Sequence, residues 1–174
     1  PYGAELGRRM NAKAVCVDLD RGVAPWSGTA VRADPVACWD AIAEPVRGWF
    51  ARRVVLVGAE STGKTTLAQG LCEALRQRGG AHARTRWVPE VGREVSAEKV
   101  ARLPAGAAIE DVVWATPDFL AIARAQSQRE DALARVGGPV LICDTDAFAT
   151  GVWHERYLGT RSPEVEALAV AHPL

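Results

Sequence analysis

The chain of 174 residues has very little lysine, no excess of charge of either sign and no long apolar run. It contains three lysines against 18 arginines, and its 21 basic side chains balance its 21 acidic ones. This balance gives no reason to expect nucleic acid or an anionic membrane surface as a partner. No apolar run approaches the ~18 residues that span a bilayer, and the N-terminus has no signal-peptide core. We therefore expect a cytoplasmic protein.

Cysteine and histidine are scarce and scattered. The four cysteines form no C-x-x-C pair, and the three histidines lie far apart without the spacing of metal ligands. We expect reduced, mostly buried thiols and structural or surface histidines rather than a metal site built from these residues. The length allows one domain or slightly more.

One eight-residue motif indicates nucleotide binding. It is a G-x-x-x-x-G-K-T phosphate loop, preceded by the apolar strand candidate 54–57 and followed by an amphipathic helix that glycines 79 and 80 close. Backbone N–H groups of such a loop, at a helix N-terminus, bind polyphosphates. We expect Lys64 to reach the β- and γ-phosphates of ATP and the Thr65 hydroxyl to ligate Mg²⁺. The predicted nucleotide contacts are Gly58, Ala59, Glu60, Ser61, Thr62, Gly63, Lys64, Thr65 and Thr66.

Strand and helix patterns alternate along the rest of the chain. Further strands are predicted at 14–17, 85–89 and 140–143, and helices at 35–42, 45–50, 116–136, 147–157 and 163–171. This order predicts an α/β fold with a P-loop NTPase-type parallel sheet and flanking helices. Ligands of such sheets bind at the carboxyl ends of the strands.

Two acids follow the predicted strand 140–143. Four apolar residues and then an aspartate are typical of the second nucleotide-binding element, so we expect Asp144 to hold Mg²⁺ beside Thr65. Asp146 has two open readings, because it either serves the site or caps the next helix.

Glu90 follows the strand that comes next after the phosphate loop. A carboxylate there would orient or deprotonate an attacking hydroxyl, and Arg93 would pair with the transferred phosphoryl group or with Glu90. The alternative is a surface ion-pair cluster of Glu90, Arg93, Glu94 and Lys99. Most aromatic residues should pack in the core, with Trp87, Trp114 and Phe119 as candidates to stack on a flat substrate ring.

Several stretches together resemble the ribosylnicotinamide kinase domain of NadR-type proteins. They are residues 55–67, 90–94, Asp118-Phe119 with Gln126, 143–146 and 157–159. Residues 25–32, followed by Asp34-Pro35 and Trp39, resemble the end of the adenylyltransferase domain of the same proteins. By this resemblance, Ser27, Thr29 and Arg32 would contact the phosphates of a second ATP.

The resemblance implies a reaction and a domain plan. ATP and nicotinamide riboside would give ADP and nicotinamide mononucleotide, with Lys64, Glu90, Asp144 and Asp146 as catalytic residues. Substrate-binding residues would be Glu90, Arg93, Trp114 and Asp118. Residues 1–50 would be the C-terminal part of a Rossmann-like nucleotidyltransferase domain, and residues 51–174 a P-loop kinase domain that stops before its lid.

The sequence also departs from the family pattern. It lacks the His-x-Gly-His signature, so adenylyltransferase activity is not expected, and Pro89 stands where the family can place an aromatic residue. No DNA-binding helix-turn-helix is present. Two alternatives stay open: a kinase of the same fold for another nucleoside or a shikimate-like acceptor, and an ATP-binding switch. A switch needs a water-positioning residue, for which Gln126 and Gln128 are weak candidates.

Overall fold

The computed structural model describes residues 2–16, 18, 20 and 22–171. These residues form eight α-helices and three β-strands. The helices are α1 Tyr2–Arg9, α2 Gly28–Ala33, α3 Glu44–Phe50, α4 Lys64–Gln77, α5 Val91–Ala101, α6 Thr116–Val136, α7 Ala147–Leu158 and α8 Pro163–Ala171. The strands are β1 Arg52–Val55, β2 Arg86–Val88 and β3 Val140–Cys143, and short 3-10 helices occupy Trp39–Ala41, Gly80–Arg84 and Ile109–Asp111.

The three strands form one parallel sheet in the order β1-β3-β2. Cys143, the last residue of β3, lies opposite Val55 of β1 on one side and Val88 of β2 on the other. The carboxyl ends of all three strands therefore meet at one edge. This arrangement confirms the α/β fold with a parallel sheet and flanking helices that the sequence predicts.

The central strand β3 is apolar throughout because helices cover both faces of the sheet. Leu141 and Cys143 point to one face and pack with Ala134 of α6. Ile142 points to the other face and packs with Ala68 and Cys72 of α4. A separate apolar cluster joins α6, α7 and α8 beside the sheet. None of the helices among the described residues is long and apolar enough to cross a membrane.

The segment before β1 packs against the residues that follow it, and Asp40 pairs with Arg84 there. Trp39 is 1% exposed, and its indole Nε1 donates a hydrogen bond to the Gly137 carbonyl at 3.0 Å. Helix α3 lies along α6, where Gly48 faces Ala134 and Arg135. Residues 39–50 thus share packing with the unit that follows them.

Two sequence predictions in this segment are wrong. No α-helix runs from 35 to 42, because turns and a short 3-10 helix replace it and turn the Trp39 ring into the interior. The strand predicted at 14–17 does not form at 14–16, which pair with no strand among the described residues, and Val17 lies outside them.

Candidate functional site

The loop between β1 and α4 has the backbone geometry of an anion cradle. Gly58 has φ 155° and Gly63 has φ 81°, conformations that favour glycine over residues with a Cβ. Gly63 is the N-cap of α4 and provides no side-chain cap, so the first N–H groups of this 14-residue helix are left for another acceptor. A phosphate group supplies such an acceptor.

Lys64 folds back over this loop. Its Nζ donates a hydrogen bond to the Ala59 carbonyl at 2.6 Å, and the Thr62 hydroxyl donates to the same carbonyl at 2.8 Å. The ammonium group therefore lies inside the curve of the loop, where the oxygens of a bound polyphosphate would compete with Ala59 for it.

Thr65 and Asp144 come together as the sequence predicts. The Thr65 hydroxyl donates to Asp144 Oδ2 at 2.5 Å, although the two residues are 79 positions apart. Asp144 is 1% exposed, and its Oδ1 is buried without a hydrogen-bond partner among the described residues. A buried carboxylate oxygen without a partner is costly unless a cation or a water bonds it.

This pair fits Mg²⁺. The described residues contain no group of three or more His, Cys, Asp or Glu side chains that could hold a metal ion. Mg²⁺ is commonly held by one or two carboxylates, together with waters and the phosphate oxygens of a substrate. Thr65 and Asp144 supply that small set of protein ligands.

Glu90 and Arg93 line the same cavity as the phosphate loop. Glu90 precedes α5 as its N-cap, and its Oε2 accepts a hydrogen bond from Arg93 Nη2 at 3.0 Å. Arg93 is largely exposed, whereas the Glu90 side chain is 20% exposed. Glu94, next along α5, makes a two-fold hydrogen bond with Arg129 of α6, which lowers the pKa of Glu94.

A cavity of about 600 Å³ is lined by the phosphate loop and by Glu90, Arg93 and Ser96. Asp144, the partner of Thr65, is not among its lining residues. Four aromatic residues also line it and form an aromatic wall, defined as Trp114, Phe119, Trp153 and Tyr157. Trp114 lies at ring-centroid distances of 5.4 Å from Phe119 and 5.6 Å from Tyr157, so the wall is continuous.

Buried polar contacts hold the aromatic wall in place. His154 is 2% exposed and lies between the Thr116 hydroxyl, at 3.0 Å from Nε2, and the Thr160 carbonyl, at 2.8 Å from Nδ1. Its ring packs edge-on against Phe119. The histidine therefore fixes the start of α6 to the end of α7.

Not every residue predicted for the site lines this cavity. Asp118 accepts hydrogen bonds from the Ala115 N–H and from Lys99, each at 2.9 Å, and so caps α6. Asp146 accepts from the Ala149 N–H at 2.8 Å and caps α7, which is one of its two readings. Neither belongs to the cavity lining. The substrate role of Asp118 and the catalytic role of Asp146 stay predictions.

The predicted second ATP contacts lie in a different part of the chain. The Ser27 hydroxyl accepts a hydrogen bond from the Ala30 N–H at 3.1 Å and caps α2, the short helix that contains Thr29 and Arg32. None of these three residues lines the cavity beside the phosphate loop. Their phosphate-binding role stays a prediction.

Sequence reasoning missed two features of the cavity. Trp153 and Tyr157 were expected only as packing residues or as part of a family resemblance, yet both line the cavity from one face of α7. Their i, i+4 spacing was the available signal. Arg156, between them, lies 3.3 Å from Glu60 of the phosphate loop and stacks on the Trp153 ring.

A comparison with protein families agrees with this geometry. Residues 53–173, more than two thirds of the chain, match the family described as AAA domain. The chain belongs to this AAA domain family. The matched residues include the phosphate loop, Glu90, Asp144 and the aromatic wall, so the AAA domain is a P-loop nucleotide-binding unit.

Two curated relatives are similar over most of the chain. Both are described as the trifunctional NAD biosynthesis/regulator protein NadR, one from Escherichia coli strain K12 and one from Salmonella typhimurium strain LT2. Each is 26% identical over 159 residues, which is 91% of this chain. The chain spans 35% of the length of these relatives.

Solved structures share the fold. A NadR protein in complex with NR superposes with a TM-score of 0.67 at 23% identity, over 98% of this chain and 44% of the other. A NadR structure in complex with NAD and AMP-PNP gives the same values. The similarity extends to residues on both sides of β1.

Proposed function

We propose that the AAA domain transfers the γ-phosphoryl group of ATP to nicotinamide riboside, which gives ADP and nicotinamide mononucleotide. The observation that supports this most directly is that the phosphate loop and the aromatic wall line the same cavity. A riboside whose ring lay against the wall would direct its 5′-hydroxyl toward the loop. The similarity to NadR proteins, one of them bound to NR, gives independent support.

The donor end holds the triphosphate. The loop N–H groups and Lys64 would bind the β- and γ-phosphates, with Lys64 exchanging the Ala59 carbonyl for phosphate oxygens. Thr65 and Asp144 would hold Mg²⁺, which when bound supplies positive charge against the phosphate oxygens. Positioning and charge neutralisation are the main sources of catalysis in phosphoryl transfer.

The acceptor end prepares the hydroxyl. Glu90 would accept its proton as the oxygen bonds to the γ-phosphorus and the bond from that phosphorus to the β–γ bridging oxygen breaks. Arg93 would move from Glu90 to the transferred group, since it is exposed enough to change partners. Trp114 and Tyr157 would stack on the pyridine ring. Asp118, through Lys99, would hold Trp114, because the Lys99 ammonium lies 5.2 Å from that ring.

The segment before β1 and the cellular setting are also part of this proposal. Residues 1–50 would derive from a nucleotidyltransferase-like domain that ends near β1, with Ser27, Thr29 and Arg32 facing a second ATP. The small-molecule substrates would be ATP and the riboside, in the cytoplasm, without nucleic acid or membrane partners. The shared packing of Trp39 and Gly137 would then couple the two units.

One assay tests the proposal. The protein is incubated with Mg-ATP and, one at a time, with several nucleosides or with shikimate as acceptor. ADP release is measured by a coupled assay. Release stimulated by nicotinamide riboside, and not by adenosine, uridine or shikimate, is the expected result. Stimulation by another acceptor alone would identify a different kinase, and equal release without any acceptor would indicate an ATP-driven switch. In the expected case, Glu90→Gln lowers kcat by about 100-fold or more.

A further inference from the structure

Gln126 of α6 is a buried amide with all of its hydrogen-bonding groups engaged. It is 0% exposed. Its Oε1 accepts from the Val91 N–H at 3.1 Å, while Nε2 donates to Glu130 Oε1 at 3.1 Å and to the Thr145 carbonyl at 3.4 Å. The Val91 donor fixes which end of the amide is oxygen. Both ends of this amide are engaged and the side chain does not line the cavity, which disfavours the water-positioning role considered for a switch.

Both backbone partners of Gln126 lie beside acids of the site. Val91 directly follows Glu90, and its N–H is one of the helix-start donors of α5 that have no partner within the helix. Thr145 lies between Asp144 and Asp146, in the turn after β3. One side chain therefore links the two acidic segments, which the hydrogen bond from the Asp144 N–H to the Val88 carbonyl at 3.0 Å also brings together.

The donor end of the amide is itself fixed. Glu130 lies one turn further along α6 and is 4% exposed, and its Oε2 lies 3.3 Å from Arg53 Nη1. Arg53 also pairs with Asp131 and belongs to β1, the strand that enters the phosphate loop. Burial raises the pKa of Glu130 to about 7, while its hydrogen bond from Gln126 and the charge of Arg53 oppose that rise. The network thus runs from β1 through α6 to both acidic segments.

We infer that Gln126 is a positioning residue that, together with the pairing of β2 and β3, fixes the distance between the Glu90 segment and the Asp144 segment. This inference rests on the proposed function, because it assigns those segments to the acceptor and the metal. Gln126 does not line the cavity, so it acts through the backbone at Val91 and Thr145. A displacement of about 1 Å between reacting groups can cost about 100-fold in rate.

The matched pair Gln126→Met and Gln128→Met tests this role. Both residues lie on α6, and both substitutions replace an amide by an apolar side chain of similar length. Gln126 is buried, whereas Gln128 is exposed. Steady-state kinetics of riboside-dependent ADP release should show kcat reduced by about 10- to 100-fold for Gln126→Met. Its KM for ATP should rise much less than kcat falls, because Lys64 and the loop N–H groups, which bind most of the triphosphate, are not among the hydrogen-bond partners of Gln126. Gln128→Met should match the wild-type protein in both values.

The outcomes separate this inference from the proposed function. An active wild-type protein whose kcat is unchanged by Gln126→Met overturns the inference alone, and so does a KM for ATP that rises in proportion to the fall in kcat. A wild-type protein without riboside-dependent ADP release overturns both. If Gln126→Met does not fold, Gln126→Asn replaces it, since the shorter amide stays polar but cannot reach both Val91 and Thr145. An unchanged kcat in Gln126→Asn overturns the inference.

Discussion

The indole nitrogen of Trp39 donates a hydrogen bond to the carbonyl of Gly137, 98 residues further along the chain. Trp39→Phe keeps most of the buried ring but leaves that carbonyl without its partner. We expect the free energy of unfolding to fall by about 1–3 kcal/mol. Urea denaturation followed by circular dichroism measures the change. Trp49→Phe is the control, since Trp49 is 89% exposed and its loss should cost less than about 0.5 kcal/mol. Equal effects of the two substitutions would contradict the assignment.

Asp144→Asn tests the metal ligands. The amide keeps an acceptor for the Thr65 hydroxyl but removes the charge that we assign to Mg²⁺. The expected result is a kcat lower by about 100-fold or more, with weaker binding of ATP in the presence of Mg²⁺. Affinity for ATP in EDTA, measured by calorimetry, serves as the internal control and should stay near the wild-type value. A loss of affinity that is the same with and without Mg²⁺ would assign Asp144 to folding instead.

Glu130 makes stability depend on pH. Its pKa is raised from 4.5 to about 7 in the folded protein, first by burial, so the folded state binds the proton more tightly than the unfolded state. The stabilisation is complete below pH 4.5 and is lost as the pH rises through 7. Between pH 5 and pH 8, this group should lower the free energy of unfolding by about 3 kcal/mol.

The variant Glu130→Gln should lack this decrease. The difference in unfolding free energy between Glu130→Gln and the wild-type protein should therefore shift toward the variant by about 3 kcal/mol from pH 5 to pH 8. Urea titrations at several pH values provide the measurement. Gln128→Met, at an exposed amide that lies on the same helix and carries no titratable group, should give a difference that is flat with pH. Parallel pH profiles for wild type and Glu130→Gln would refute the prediction.

Two glycines should respond to alanine with opposite sign. A Cβ on Gly138 would lie 2.6 Å from the Ala81 carbonyl oxygen and 3.0 Å from the Thr85 nitrogen, both backbone atoms. Gly138→Ala should therefore lower the free energy of unfolding by about 1–3 kcal/mol. A Cβ on Gly70, inside α4, meets nothing within 4 Å, so Gly70→Ala should raise it by about 0.5–1 kcal/mol. Thermal unfolding compares the two, and a stabilising Gly138→Ala would show that this contact is not tight.

The parts of the fold that the sequence predicts well are those with local signals. The apolar run 140–143 and the long helix 116–136 agree with β3 and α6 residue for residue. The pairing of Thr65 with Asp144 was also predictable, because a phosphate loop and an aspartate after a buried strand meet in a parallel sheet. Each of these signals lies within one short stretch of sequence.

Helix α5 was not predicted because its own residues favour it weakly. Val91, Val95 and Val100 are β-branched and Gly92 is a poor helix former. Contacts from α6 supply what the segment lacks: Gln126 satisfies the Val91 N–H, and Arg129 pairs with Glu94. Such contacts cannot be read from the segment alone.

At Trp39, distant contacts override a local signal that favours a helix. Asp34-Pro35 has the composition of a helix start, yet the chain forms turns there, in which Asp34 accepts a hydrogen bond from the Ala37 N–H. The distant Gly137 carbonyl and α6 determine where the indole lies. Similarly, Tyr157 becomes part of the aromatic wall only because α7 packs beside α6.

The paired bonds to the Ala59 carbonyl affect how a nucleotide would bind. Lys64 and Thr62 both donate to this oxygen, so the loop is braced by its own side chains. Less chain entropy is then lost when a ligand enters, because these two hydrogen bonds already restrain the segment. Binding would consist largely of an exchange of one hydrogen-bond acceptor for another. Preorganisation of this kind places the selectivity of the loop in the charge and geometry of the incoming phosphates rather than in a folding step.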